Sequence, residues 1–136
     1  MNIVKREVLI DAPVARVWRH ITDPARIADW LMPNDFEPAI GKQFILDCQE
    51  QGRIACVVTE ITPERKLVYS FTSKIIKIDT TVTITLAQEG NRTRVTLIHS
   101  GWDALPPSDA GIAKPFEEGW VGHLERLREQ IVGSTR

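Results

Sequence analysis

The sequence predicts an α+β fold in which a curved antiparallel sheet of six or seven strands is covered by one long C-terminal helix. Two apolar patterns with helical spacing lie near the two ends of the chain, and both contain tryptophan. The first pattern consists of Val14, Val17, Trp18, Ile21, Ile27, Trp30 and Leu31, and the second of Phe116, Trp120, Leu124, Leu127 and Ile131. Strand-like segments joined by turn signals fill the middle of the chain, which predicts hairpins and therefore antiparallel pairing. A sheet of this size with one apolar face must curl or be covered, and the last helix is long enough to cover it.

Residues 2–11 form the first predicted strand, and two short helices follow it. Asp11 precedes Ala12-Pro13, and a proline in the first turn of a helix needs no hydrogen-bond donor, so a helix is expected to begin here. Asp23-Pro24 repeats the signal and opens a second short helix that runs through Trp30. The two helices should turn one apolar stripe toward the sheet.

The central segments alternate apolar and polar residues, which is the periodicity of half-buried strands. The predicted inward positions are Phe44, Leu46 and Cys48, then Leu67, Tyr69 and Phe71, then Val82, Ile84 and Leu86, and finally Val95 and Leu97. Residues 53–61 are predicted to form the strand that returns after Cys48. Turn signals separate the segments at Gln51-Gly52, at residues 62–65 and at residues 88–91. The same parity places His99 on the inward face.

The last helix is predicted to begin at Pro115 and to run to Ile131 or Val132, with Gly133 as its stop. Gly119 and Gly122 lie inside it, and each costs about 1 kcal/mol relative to alanine. Two explanations are open. A missing side chain can let a ligand approach the helix, or it can permit close packing against a bulky strand residue.

Composition indicates one globular domain over residues 1–136 and gives no support to several functional classes. The 17 basic and 18 acidic residues give a net charge of −1, which leaves no footprint for nucleic-acid binding. The first residues lack a basic segment followed by an apolar one, and no apolar run reaches 18 residues. We therefore expect a cytoplasmic protein without membrane insertion.

No motif in the sequence indicates a cofactor, a metal or a catalytic residue. Cys48 and Cys56 are expected on paired strands on either side of a turn near Gly52, where they could approach each other. Free, half-buried thiols are the preferred interpretation, with a redox pair or a metal site as alternatives. A zinc site would need further ligands at zinc spacing, which the sequence lacks.

The residues also resemble a known family. The resemblance rests on the segments Ile10-Asp11-Ala12-Pro13, Val17-Trp18, Thr22-Asp23-Pro24, Trp30, Gly41 with Phe44, Glu60-Ile61-Thr62-Pro63, Leu67-Val68-Tyr69-Ser70-Phe71, His99-Ser100-Gly101-Trp102 and Gly119-Trp120. In their order and spacing they are similar to the START-like (SRPBCC, helix-grip) superfamily, in a branch resembling the C-terminal domain of the heat-shock protein 90 ATPase activator. The resemblance implies a curved sheet that grips the last helix around a cavity. Superfamily members mostly bind apolar or amphipathic small molecules, and a minority are cyclases, dehydratases or hydrolases.

Eight residues are candidates for contact with a ligand between sheet and helix. They are Trp30, Phe44, Tyr69, Phe71, His99, Trp102, Phe116 and Trp120. Each tryptophan could line a pocket or simply pack in the core, since an indole offers a large apolar face and one donor. Tyr69 is the preferred contact among the strand aromatics because its hydroxyl needs a partner when buried.

His99 has two interpretations. Near the end of an inward strand it could protonate or hydrogen-bond a ligand at the mouth of the cavity. Alternatively, it is a structural histidine held by a loop carbonyl next to Gly101, and this is the preferred interpretation. His20 and His123 are expected at the surface or at its boundary.

Three functions are consistent with the sequence. The first is binding of a small apolar or amphipathic molecule without catalysis. The second is an enzyme in the same cavity with His99 as acid or base. The third is a chaperone-associated protein-interaction module, which should expose a large apolar patch. A homodimer formed through an exposed sheet edge is compatible with all three.

Overall fold

The computed structural model describes residues 3–48 and 52–133, which form six strands and three α-helices. In chain order the elements are β1 (Val4–Ile10), α1 (Val14–Thr22), α2 (Pro24–Trp30), β2 (Gln43–Cys48), β3 (Gly52–Thr62), β4 (Lys66–Phe71), β5 (Thr80–Glu89), β6 (Arg92–Ser100) and α3 (Lys114–Gly133). Two 3₁₀ segments, Trp102–Ala104 and Pro107–Ala113, connect β6 to α3. Within these residues, no helix is both long enough and apolar enough to cross a membrane.

The six strands form one open sheet in the order β1-β6-β5-β4-β3-β2, with every neighbouring pair antiparallel. The predicted α+β arrangement is therefore confirmed, with the smaller of the two predicted strand numbers. The first strand and the last hairpin along the chain meet because β1 pairs with β6. The edges of the sheet are β1 and β2.

The two short helices begin where the sequence predicts. Pro13 is the N-cap residue of α1, and Asp23 caps α2, where its side chain accepts a hydrogen bond from the backbone N–H of Ala25 at 3.1 Å. Pro24 occupies the first position of α2, where a missing N–H costs nothing. The Trp30 indole N–H donates to the backbone carbonyl of His20 at 2.9 Å, which ties the end of α2 to α1.

Helix α3 covers the concave face of the sheet, as predicted. Its buried residues repeat at helical spacing and are those of the second apolar pattern: Phe116, Trp120, Leu124, Leu127 and Ile131. It starts at Lys114, one residue before the predicted Pro115, and it contacts β1, α1 and α2.

The β2–β3 register separates the two cysteines. Phe44 pairs with Cys56, whereas Cys48 pairs with Gly52. Cys48 and Cys56 are thus four positions apart along the hairpin, about 13 Å at the usual strand rise. Disulfide formation requires Cα atoms about 4.4–6.8 Å apart. The expectation that these cysteines could approach each other is wrong, and both are free thiols.

Candidate functional site

A pocket opens between the first half of α3 and the end of the sheet nearest β2 and β4. Its volume is about 130 Å³, and we call it the α3 pocket. Its lining residues are Met32, Cys48, Phe71, Pro115, Phe116, Gly119, Trp120 and His123. Its walls are mainly apolar. An apolar cavity of about 150 Å³ accommodates one benzene ring, whereas drug-sized ligands occupy about 300–1,000 Å³. The α3 pocket therefore fits a single small ring or the end of a longer apolar chain.

Side chains almost completely fill the space between α1, α2 and the sheet. A residual void of about 10 Å³ lies among the apolar residues of α1, α2, β2, β4 and β5, and Trp30, Phe44 and Tyr69 line it. Phe44 packs edge-to-face against Tyr69, with ring centroids 5.2 Å apart. Burial raises the pKa of Tyr69 well above its usual value, so its hydroxyl stays protonated. These three predicted contacts lie in a packed core outside the α3 pocket.

The structure thus distributes the eight candidate residues over three environments. Phe71, Phe116 and Trp120 line the α3 pocket. Trp30, Phe44 and Tyr69 fill the core beside it. The remaining two, His99 and Trp102, are fully buried behind the pocket wall, and Trp102 also borders a wider cleft of about 730 Å³ between Ile3, Val4, the 3₁₀ segments and the start of α3.

His99 lies in a directional chain of hydrogen bonds. The Trp120 indole N–H donates to His99 Nδ1 at 3.0 Å, and His99 Nε2 lies 2.8 Å from Thr80 Oγ1. Thr80 Oγ1 donates to the backbone carbonyl of Phe71 at 2.5 Å. Because an indole only donates and a carbonyl only accepts, Nδ1 must accept and Nε2–H must donate to Thr80. The chain thus runs from Trp120 through His99 and Thr80 to Phe71.

This chain makes His99 a structural residue. Both ring nitrogens are occupied, the side chain is 0% exposed, and burial lowers the pKa of His99 to about 3. The imidazole is therefore neutral near pH 7. Its partners are a hydroxyl and an indole, so the expectation of a loop carbonyl next to Gly101 is wrong. Since no ring nitrogen is available to a ligand, this arrangement opposes an acid–base role for His99.

Aromatic rings surround His99 and connect it to the pocket wall. The centroid of the His99 ring is 4.7 Å from those of Phe71 and Trp102, and 6.0 Å from those of Phe116 and Trp120. The hydrogen bond from the Trp120 indole fixes the orientation of a ring that also lines the α3 pocket. His99 therefore positions one wall of that pocket.

The turn after β6 brings Trp102 beneath this cluster. Gly101 has φ +98°, and a Cβ there would lie 3.2 Å from the backbone of Asp79 and Thr80. Only glycine fits this close approach without strain. Trp102 packs against Phe116 with centroids 5.4 Å apart, and its indole N–H is buried without a hydrogen-bond partner in the described part of the chain.

The other two histidines occupy different environments. His123 is half-buried, as expected, with Nδ1 2.9 Å from Arg126 Nη2 and 3.2 Å from the Trp30 carbonyl oxygen. His20 is buried at 5% exposure, which corrects the expectation of a surface position. Its Nδ1 lies 3.0 Å from the backbone carbonyl of Arg16, one turn earlier in α1, and its Nε2 lies 3.4 Å from Arg26 Nη1 of α2.

The two glycines inside α3 do not serve close packing. A Cβ built on Gly119 or on Gly122 meets no atom within 4 Å, so the close-packing explanation is wrong. Gly119 lines the α3 pocket, whereas Gly122 is exposed and does not. A side chain at Gly119 is therefore expected to enter the pocket.

Sequence reasoning missed several residues of the α3 pocket: Met32, Cys48, Pro115 and His123 were not named as ligand contacts. His123 could have been found, because it follows Phe116 and Trp120 at helical spacing of seven and three. Met32 and Cys48 come from two other segments, and no local pattern links them to α3. Among residues 3–48 and 52–133, no cluster of three or more His, Cys, Asp or Glu is arranged to hold a metal ion.

An open antiparallel sheet closed by a long C-terminal helix, with a small pocket between them, defines a helix-grip domain of the START-like class. The model of the Activator of Hsp90 ATPase homolog 1-like protein family matches residues 11–131. The chain belongs to this family. Among curated proteins, no match to the sequence is found.

Solved structures with the same fold cover nearly the whole chain. Protein MLL2253 from Mesorhizobium loti is 29% identical with a TM-score of 0.87, over 99% of both chains. Protein BH1534 from Bacillus halodurans is also 29% identical, with a TM-score of 0.80 over 96% of this chain and 97% of that one. The Aha1 dimer from Colwellia psychrerythraea has a TM-score of 0.81 over 96% of each chain, and at 16% identity it shows the fold alone.

Proposed function

We propose that this protein binds a small, predominantly apolar molecule in the α3 pocket. The observation that carries the proposal is an open apolar pocket of about 130 Å³ beside a glycine in the middle of a helix. Phe71, Phe116 and Trp120 provide flat walls for one ring. A larger ligand would place one ring or chain end inside and extend outward through the opening of the pocket.

The size of the pocket limits the affinity for a bare ring. If binding removes about 300 Å² of apolar surface of the ring and the pocket from water, the gain in binding free energy is about 7.5 kcal/mol at ~25 cal/mol per Å². Association costs at least about 4 kcal/mol. The remaining ~3.5 kcal/mol corresponds to a dissociation constant in the millimolar range. Tighter binding requires contacts beyond the ring.

Two leucine substitutions test this proposal. Gly119→Leu should fill the α3 pocket and abolish toluene binding, measured by ligand-detected NMR at millimolar toluene. Gly122→Leu is the matched control, because it makes the same change in the same helix outside the pocket lining. Both variants should gain helix propensity. Toluene binding that is equal in both variants, or absent from the unmodified protein, would contradict the proposal.

Self-association is a second candidate, favoured by the open sheet edges. The β2 edge is partly covered, because Ile45 N–H donates to Asp35 Oδ1 at 2.6 Å and Asp47 N–H donates to the Pro33 carbonyl at 2.9 Å. Pairing of two copies would therefore use β1, since an exposed edge strand offers unpaired backbone groups. Light scattering across a range of protein concentrations would detect a dimer, and a constant monomer mass would contradict it. The family description also motivates a chaperone partner, which stays a prediction.

A further inference from the structure

His123 supplies the polar group of the α3 pocket that has a defined orientation. Its ring lies beside Trp120, with centroids 5.7 Å apart, and it lines the pocket together with Cys48 and apolar side chains. What it offers a ligand depends on which ring nitrogen carries the proton. The neighbouring Arg126 determines this.

Arg126 approaches His123 on the Nδ1 side of the ring, and neither Arg126 nor Trp30 belongs to the lining of the α3 pocket, which leaves the Nε2 side to face it. Its Nη2 lies 2.9 Å from His123 Nδ1, and its Nε donates to the Trp30 carbonyl oxygen at 3.4 Å. A guanidinium always keeps its hydrogens and never accepts. Nδ1 must therefore present its lone pair to Arg126, because a proton there would set two N–H groups against each other. The 3.2 Å separation of Nδ1 from the Trp30 oxygen is then a van der Waals contact and not a hydrogen bond. The Trp30 oxygen accepts its hydrogen bond from Arg126 Nε instead.

The proton of the neutral ring is consequently on Nε2, at the other side of the imidazole. Burial lowers the pKa of His123; the nearby Trp30 carbonyl raises it and the positive charge of Arg126 lowers it, and the net shift is downward, so the neutral ring predominates near pH 7. A neutral imidazole in this tautomer is a hydrogen-bond donor at Nε2. The rings of Phe71, Phe116 and Trp120 form apolar walls of the pocket, and they offer this donor only their π faces.

We infer that His123 Nε2–H is the specificity donor of the α3 pocket, and that the ligand is an aryl compound with a hydrogen-bond acceptor such as a carbonyl oxygen. This inference rests on the proposed binding function and narrows it from apolar rings in general to aryl carbonyl chemistry. The aryl ring lies against Phe71, Phe116 and Trp120, and the oxygen accepts from Nε2–H. An aryl hydrocarbon of the same shape leaves that donor without a partner.

Two probes of matched shape test the inference: acetophenone, which has a carbonyl, and α-methylstyrene, which has a methylene group in its place. Dissociation constants are measured by NMR titration for the unmodified protein and for His123→Phe, which keeps a ring of similar size. The ratio of the two affinities is then compared between the two proteins, which cancels the difference in hydration between the free probes. The substitution should shift this ratio two- to twelve-fold toward α-methylstyrene, the range expected for one hydrogen bond.

A second measurement does not depend on binding. Long-range ¹H–¹⁵N correlation spectra of the imidazole should show the proton of His123 on Nε2, and Arg126→Met should release this preference. An unchanged affinity ratio in His123→Phe, or a proton on Nδ1 in the unmodified protein, would overturn the inference. If both probes bind but His123→Phe leaves their affinity ratio unchanged, the proposed binding function stands and only the donor assignment fails. If neither probe binds, both fail.

Discussion

The hydrogen-bond chain through His99 predicts that removing one buried hydroxyl destabilises the protein strongly. Thr80→Val replaces the hydroxyl by a methyl group of nearly the same size. His99 Nε2–H then loses its acceptor, and the Phe71 carbonyl loses the donor that Thr80 provides. Thr80 is 1% exposed, and water therefore cannot replace either partner without opening the core.

The magnitude follows from these two losses. A buried donor left unpaired costs about 1–3 kcal/mol, and an ordinary hydrogen bond contributes about 1 kcal/mol. Thr80→Val should therefore lower the free energy of unfolding by about 2–4 kcal/mol. At about 4 °C per kcal/mol for a domain of this size, the melting temperature should fall by about 8–16 °C.

Urea unfolding followed by tryptophan fluorescence and circular dichroism measures this change. Thr83→Val is the matched control, since Thr83 lies on the same strand but is only half-buried on the opposite face. Its substitution should change the free energy of unfolding by less than about 0.5 kcal/mol. Equal effects of the two substitutions would refute the assignment of His99 as a hydrogen-bonded anchor. Hydrogen exchange of the Trp120 indole N–H should also accelerate in Thr80→Val and stay slow in Thr83→Val.

Two further predictions concern pH and the thiols. The pKa of His99 is about 3 in the folded state, below its ordinary value of 6.5, so stability is fully present above pH 6.5 and is lost as the pH falls toward 3. His99→Phe should remove up to about 1.4 kcal/mol per pH unit from the slope of unfolding free energy between pH 6 and pH 4, and an unchanged slope would contradict the assignment. Cys48 should react with iodoacetamide in the folded protein, and millimolar toluene should protect it. Cys56 should react only after unfolding, because burial raises the pKa of its thiol and blocks access of the reagent. Mass spectrometry of the alkylated peptides checks this, and early labelling of Cys56 would argue against the described β2–β3 register.

Alternation and helix-start signals were sufficient to predict the elements of this fold. The inward face of β4, at Leu67, Tyr69 and Phe71, is buried as predicted, because side chains alternate along a strand whatever its partner. Proline and aspartate signals likewise act within a few residues, so the starts of α1 and α2 could be predicted from the sequence.

Contacts between elements were harder to predict. Parity placed His99 inward, but its partner Thr80 is supplied by the pairing of β5 with β6, which no local pattern specifies. The β2–β3 register likewise determines how far apart Cys48 and Cys56 lie, since a shift in pairing changes every cross-strand neighbour.

The division between pocket and packed core could not be predicted from residue types. Trp30 and Trp120 have the same side chain and both lie on apolar patterns with helical spacing, yet the Trp30 indole is hydrogen-bonded to the His20 carbonyl in the core while Trp120 lines the pocket. The difference depends on how completely three separate segments fill the space beneath α3. Residue volume and helix angle together determine this, and neither is encoded within a short window of sequence.

The most direct test of the α3 pocket is a crystal structure of the protein pressurised with xenon, whose anomalous scattering locates apolar voids. Xenon should occupy the space between Phe71, Phe116 and Trp120, and Gly119→Leu should remove it while Gly122→Leu leaves it in place. Absence of xenon from this position, or xenon beside Tyr69 in the core instead, would show that the space beneath the first half of α3 is not an apolar binding pocket.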